Sequence, residues 1–213
     1  MNDLPLRPVA DIGAVDDQFF TLRNFRLADG TVMPEATIAY EIYGRLAPPN
    51  GPNGGRNAIL CMHGYTGSHH FAGRNPVNGN QPGSWDGLIG PGKAIDTDKL
   101  FAVASNLLCS SFGSTNAGSI NPQTGEAYGL DFPNVTIRDI VAAQRALLDH
   151  LGVRHLVAVA GPSYGGYQAF QWAVAHPDFM DAIVPVNTAP WASVNTDKQL
   201  AELQARLASD PEW

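Results

Sequence analysis

Four short apolar runs constrain the fold of this chain more than any other feature. They are "NAILCMHG" (57–64), "LFAVASN" (100–106), "HLVAVAG" (155–161) and "DAIVPVNT" (181–188). Each is continuous rather than alternating and ends in Gly or a polar residue, the pattern of a strand covered on both faces. Helical patterns separate the later runs. In "NVTIRDIVAAQRALLDHLGV", Ile137, Ile140, Val141, Leu147, Leu148 and Leu151 fall near helical spacing, and Gly152 suits the C-terminal cap. "SYGGYQAFQWAVAHP" reads as a second helix stopped by Pro177, and "TDKQLAELQARLASDPEW" begins a third. Buried strands alternating with helices predict an α/β fold with a mostly parallel sheet.

Upstream, "QFFTLRNFRL" (18–27) and "ATIAYEIYG" (36–44) are rich in aromatic and β-branched residues and roughly alternate. They predict an antiparallel N-terminal strand pair. "APPNGPNGG" (47–55) reads as a surface loop. A net charge of −7 with scattered Lys and Arg argues against a nucleic-acid partner. No window approaches 18 continuous apolar residues, and "MNDLPLRPVADIGAVDD" lacks the layout of a secretory signal. A soluble, cytoplasmic protein with no membrane partner is expected. Its two cysteines, Cys61 in an apolar run and Cys109 in a Ser/Gly-rich loop, make no disulfide framework. No His/Cys/Asp/Glu spacing suggests a metal, and no dinucleotide or phosphate-loop fingerprint suggests a bound cofactor.

The chemistry gathers at "GPSYGG", where Ser163 stands between Gly161 and Gly165. A strand, then G-x-S-x-G, then a helix is the context of a nucleophile elbow. The serine takes a strained turn, so side chains two residues away would collide with strand or helix. The hydroxyl then sits at a helix N-terminus, where the dipole and free N–H groups favour developing negative charge. A plain glycine-rich strand–helix turn or a phosphate loop is the competing reading. "CMHGYTGS" after the first buried strand is the second signal, because that loop supplies the other oxyanion amide in such sheets. The candidate donors are the N–H groups of Tyr65 and Tyr164. His63 shapes this loop rather than serving as base.

The stretches "HGYTGSHHFAG", "WDGLIGPGKAIDTDKLFAVASN", "GSTNAGSINPQTGEAYGLDFPNVTIRDIVAAQRALLDHLGV" and "GPSYGGYQAFQWAVAHPDFM" resemble the N-terminal part of the homoserine O-acetyltransferase family, within the α/β-hydrolase superfamily. They cover most of residues 60–190. The resemblance implies an α/β-hydrolase fold and ping-pong acyl transfer. A serine takes an acyl group from a thioester or ester and passes it to an acceptor hydroxyl. Ser163 matches the family nucleophile, and Tyr65 and Tyr164 match its oxyanion-hole positions. Acetyl-CoA would be a co-substrate, the substrates small molecules, and a homodimer through the lid would follow. Pro162 and Tyr164 depart from the usual Gly-Ser-Met elbow, and Gly64-Tyr65 from the usual Ala-Leu pair. Two tyrosines beside the serine would reshape the acyl and acceptor pockets and admit water.

Family members continue beyond this point into a helical lid and strands that carry the triad Asp and His. Residues 1–190 are therefore expected to form the N-terminal part of the core, and 191–213 the start of a helical lid region. The triad acid and base are expected outside this chain. His69 and His70 are the only local substitutes, with loop or pocket roles as the plainer reading. His150, His155 and His176 read as turn and helix-end residues, and Asp131 and Asp139 as turn and helix-start residues. A carboxylesterase on the same scaffold and a non-catalytic binding module are the competing functions.

Overall fold

The computed structural model describes residues 11–51, 54–190 and 196–209. Eight strands and three α-helices follow in order: β1 (Gln18–Arg26), β2 (Val32–Tyr43), β3 (Ala58–Met62), β4 (Ile89–Gly90), β5 (Ile95–Asp96), β6 (Phe101–Ser105), α1 (Ile137–His150), β7 (Leu156–Pro162), α2 (Tyr164–Ala175), β8 (Ile183–Val186) and α3 (Thr196–Ala208). Six strands form one sheet in the order β1-β2-β6-β3-β7-β8, with β4 and β5 as a separate short pair. β1 and β2 are antiparallel, as is the β2–β6 join, and the other pairs in the main sheet are parallel. The four apolar runs are β3, β6, β7 and β8, but among the described residues β8 lies at the sheet edge with Val184 and Val186 exposed rather than covered on both faces. The expected strand pair is present, with β2 beginning at Val32, earlier than its aromatic pattern indicates. The β4–β5 pair is too short to leave a periodic signal. The N-terminal stretch 1–10, positions 52–53 of the surface loop, and 191–195 and 210–213 of the expected lid segment lie outside the described residues.

Sheet order places the site. From β3 the chain passes to β6 on one side, then returns through α1 to β7 on the other. The loops after β3 and β7 therefore meet at a topological switch point, where ligands bind in open α/β sheets.

The continuous apolar runs have a direct cause. Ala58, Leu60 and Met62 of β3 face one core with Ile140, Val141, Leu147 and Leu148 of α1 and Trp172 of α2. Ile59 and Cys61 face a second core with Tyr43, Phe71, Ala72 and Ile89. Both faces of β3 are covered, so no alternate position can be polar.

α1 starts as its sequence indicates. The Thr136 N–H donates to Asp139 Oδ2 (2.8 Å), and the Asp139 carboxylate also accepts the Ala28 N–H (2.6 Å), tying the helix start to the β1–β2 turn. At the other end Gly152 adopts φ 77°, the left-handed conformation that glycine takes without a Cβ penalty. α1 and α2 are joined by a buried polar chain. Trp172 Nε1 donates to Gln144 Oε1 (2.8 Å), and Gln144 Nε2 donates to Gln168 Oε1 (2.7 Å).

Candidate active site

β7 delivers Ser163 to the carboxyl end of the sheet, and α2 begins at the next residue. Ser163 has φ 51° and ψ −115°, well outside helix and strand. Such a conformation costs on the order of 1–3 kcal/mol and persists only where its surroundings enforce it. Here the Ser163 N–H donates to Val186 O of β8 (2.9 Å), while Ser163 O accepts the Gly166 N–H (2.9 Å) inside the first turn of α2. The residue is therefore anchored on both sides of the bend.

The flanking glycines are required by contact. A Cβ on Gly161 would lie 2.7 Å from Met62 O and from Gly165 C, and one on Gly165 would lie 2.4 Å from Met62 O. Backbone of β3 is the obstacle, and it cannot rotate away. Gly165→Ala is therefore expected to destabilise the chain by about 1–3 kcal/mol, the cost of overpacking a tight site. Urea denaturation of the purified chain would measure it, and an unchanged midpoint would contradict the packing described.

Tyr65 and Tyr164 lie together across the switch point. Their rings meet edge to face at 6.2 Å, and Tyr164 meets Tyr167 in the same manner at 6.3 Å. Among the described residues, neither the Tyr65 nor the Tyr164 N–H donates to a protein backbone acceptor outside its own element. A Cβ on Gly64 would lie 3.6 Å from Ser163 Cβ, so the loop backbone passes directly beside the serine. A cavity of about 370 Å³ opens here, lined by Tyr65, Thr66, Leu107, Cys109, Phe112 and Tyr164 among others. Burial raises the Tyr164 hydroxyl pKa, aided by Cys109 and Tyr65, so the phenol stays neutral. Burial also raises the Cys109 thiol and pushes Cys61 up to about 12, so neither is poised as a thiolate nucleophile.

Every histidine side chain has neighbours other than the serine. His63 Nδ1 lies 2.7 Å from Gly64 O, and its Nε2 lies 2.8 Å from Asn106 Oδ1. Burial lowers the His63 pKa, opposed by those two bonds. His69 Nε2 bonds Asp17 Oδ1 (2.9 Å), and its Nδ1 is buried without a protein partner. His70 bonds Glu41 (2.9 Å) and Gln81 O (3.0 Å). His150 stacks on Phe20, and His176 packs against Trp172. His155 pairs with Asp181 at the far end of β7, about 25 Å from Ser163 at a strand's rise per residue. No imidazole among the described residues is hydrogen-bonded to Ser163. Asp139 caps α1 and Asp131 ends a short 3₁₀ turn (Gly129–Asp131).

A partly buried polar cluster went unseen in the sequence. Asp17, Glu41 and His69 bring donor atoms within 4.8 Å of one another. They come from three separate segments, so spacing could not reveal them. Their charge is met by protein donors: the Asn75 amide bonds both Asp17 Oδ1 (2.6 Å) and Glu41 Oε1 (2.9 Å).

Comparison with known proteins agrees with this fold. A family model described as alpha/beta hydrolase fold matches residues 57–213. The chain is 43% identical over 206 residues to a homoserine O-acetyltransferase of Moorella thermoacetica, covering 95% of this chain and 53% of that protein. It is 41% identical over 203 residues to a homoserine O-acetyltransferase of Geobacter sulfurreducens, covering 95% and 54%. Among solved structures, an esterase superposes with TM-score 0.80 at 37% identity, covering 93% of this chain and 54% of that one. A homoserine O-acetyltransferase from Bacillus anthracis superposes with TM-score 0.79 at 35% identity, covering 89% and 51%. The chain thus spans about half the length of the curated relatives it matches.

Proposed function

The chain belongs to the alpha/beta hydrolase fold family, and from that premise we propose serine-dependent acyl transfer with Ser163 as nucleophile. The observation that carries the reading is the bend at Ser163, at positive φ on the N-terminus of α2 with its flanking glycines pressed on β3. In the first step Ser163 Oγ loses its proton to a general base and attacks the acyl carbonyl carbon. The bond to the leaving group breaks, and the leaving thiolate or alkoxide takes a proton. In the second step an acceptor hydroxyl loses its proton to the base and attacks the same carbonyl carbon, the Ser163 Oγ–C bond breaks, and Oγ takes the proton back from the base. The Tyr65 and Tyr164 N–H groups would hold the oxyanion in both steps, assisted by the α2 dipole.

Similarity to two homoserine O-acetyltransferases supports an acetyl group as the acyl unit and a small amino-acid alcohol such as homoserine as acceptor, and we propose acetyl-CoA as its donor. On this reading acetyl-CoA is a co-substrate and the protein holds no metal. Residues 1–190 are the core and 191–213 open a helical lid region. The enzyme works in the cytoplasm as a homodimer through the lid. No helix among the described residues is long and apolar enough to cross a membrane.

Hydrolysis of small acetate esters is the second reading. It is favoured by the structural similarity to an esterase. Incubating the whole protein with acetyl-CoA, with and without homoserine, separates the two. The transferase reading expects O-acetylhomoserine to form in preference to free acetate. Acetate release at a rate indifferent to homoserine would establish the esterase.

A further inference from the structure

We propose that two buried histidines, His63 and His70, are positioning residues that bracket the Tyr65 amide and hold it toward Ser163. The inference rests on the reading of Tyr65 N–H as an oxyanion donor. Such a donor has to be fixed to within about 0.5 Å to act in the transition state. Among the described residues the Tyr65 ring meets Tyr164 edge to face, a contact that leaves its own backbone free to turn. The backbone must be held by its neighbours.

Residues 63–70 supply two anchors, one at each end. At the first, the His63 ring reaches Gly64 O (2.7 Å) and Asn106 Oδ1 (2.8 Å). Asn106 follows β6, and its Nδ2 donates to Ser111 O (2.6 Å), so the ring connects the loops after β3 and β6. Gly64 O also accepts the Gly67 N–H (3.1 Å), closing a turn around Tyr65 and Thr66. A Cβ on Gly67 would lie 2.9 Å from His63 Cβ, so the turn is pressed on the histidine.

At the second anchor, His70 Nδ1 meets the Glu41 carboxylate at 2.9 and 3.1 Å, and Nε2 meets Gln81 O at 3.0 Å. Glu41 is fully buried on β2. The Tyr43 hydroxyl also donates to Glu41 and accepts the Phe71 and Ala72 N–H groups (3.0 and 3.1 Å). Well-packed apolar replacements of buried ion pairs are often neutral or stabilising, so stability alone is a weak account of a carboxylate here. What Glu41 does provide is a fixed end for the loop. From Glu41 through His70, and from Asn106 through His63, the segment carrying Tyr65 is tied at one end to β2 and at the other to the loop after β6, the two strands that follow β3 on that side of the sheet.

The test uses Glu41→Gln and His63→Gln in the whole protein. Both variants keep side-chain volume near the original and retain some hydrogen-bonding capacity. For an acetyl ester, kcat is expected to fall about 10–100-fold, the scale of a misplaced catalytic group, with KM within about two-fold. Affinity for a phosphonate mimic of the tetrahedral intermediate should fall in parallel. The backbone order parameter of the Tyr65 amide, measured by ¹⁵N relaxation on the whole protein, should drop in both variants. A merely structural role would lower the melting temperature while leaving kcat and the Tyr65 order parameter unchanged, and that result overturns the proposal. Ser163→Ala serves as the control. If that variant keeps full turnover, the acyl-transfer reading itself has failed, whatever the bracket variants show.

Discussion

Alanine at position 163 is expected to lower kcat of the whole protein for an acetyl ester on the order of 10⁶-fold, as loss of a serine nucleophile does elsewhere. The change removes one oxygen from a site whose backbone is fixed independently of it. The strained φ of 51° is enforced by the Ser163 N–H bond to Val186 and by the start of α2, neither of which uses the hydroxyl. Stability should therefore change little, and circular dichroism should superimpose on the parent. Mass spectrometry after mixing with acetyl-CoA supplies a second readout. The parent protein gains an acetyl group on the peptide containing Ser163, and the variant gains none. Turnover within ten-fold of the parent would remove Ser163 from the mechanism and leave the elbow as a structural turn.

The second large effect concerns the fold. Trp172→Ala is expected to destabilise the chain by about 3–5 kcal/mol, the range for deleting a large buried aromatic side chain. Trp172 is wholly buried between α1, α2 and the sheet, with its ring stacked 6.1 Å from Phe179. Its indole N–H also donates to Gln144 Oε1. Removing it leaves both a cavity and a buried acceptor without its donor, and the two penalties act together. Chemical denaturation of the purified chain, compared with Trp172→Phe, separates them. The phenylalanine variant refills most of the space and should recover the larger share, retaining only the cost of the orphaned Gln144. Equal losses for the two variants would show that the hydrogen bond, rather than the packing, dominates.

Much of the architecture was legible because its signals are local. Ala58–Met62 had to be a strand with both faces covered, since five successive buried residues leave no side for water. Asp139 at the start of α1 and Gly152 at its end act within one turn of the helix, so sequence position is enough to read them, whereas the Thr136 cap emerged only from the structure. The elbow was legible for the same reason, with strand, glycines, serine and helix contiguous. The β4–β5 pair was not, because two residues per strand establish no period.

The surroundings of the serine were decided at longer range. Glu41 looks like one acidic residue in an alternating strand, and His63, His69 and His70 like three similar histidines in a loop. Only the order β2-β6-β3 sets Glu41 beside His70, 29 residues away, and Asn106 beside His63, 43 residues away. The sequence by itself determined which segments are buried strands, where helices start and stop, and which serine stands at the bend. These follow from burial and backbone preference, which act residue by residue. The tertiary structure alone decided which distant residues hold the Tyr65 loop in place and which partners occupy the histidines. Hydrogen bonds and close contacts between distant segments depend on how the strands are ordered in the sheet, and no local pattern of side chains encodes that order.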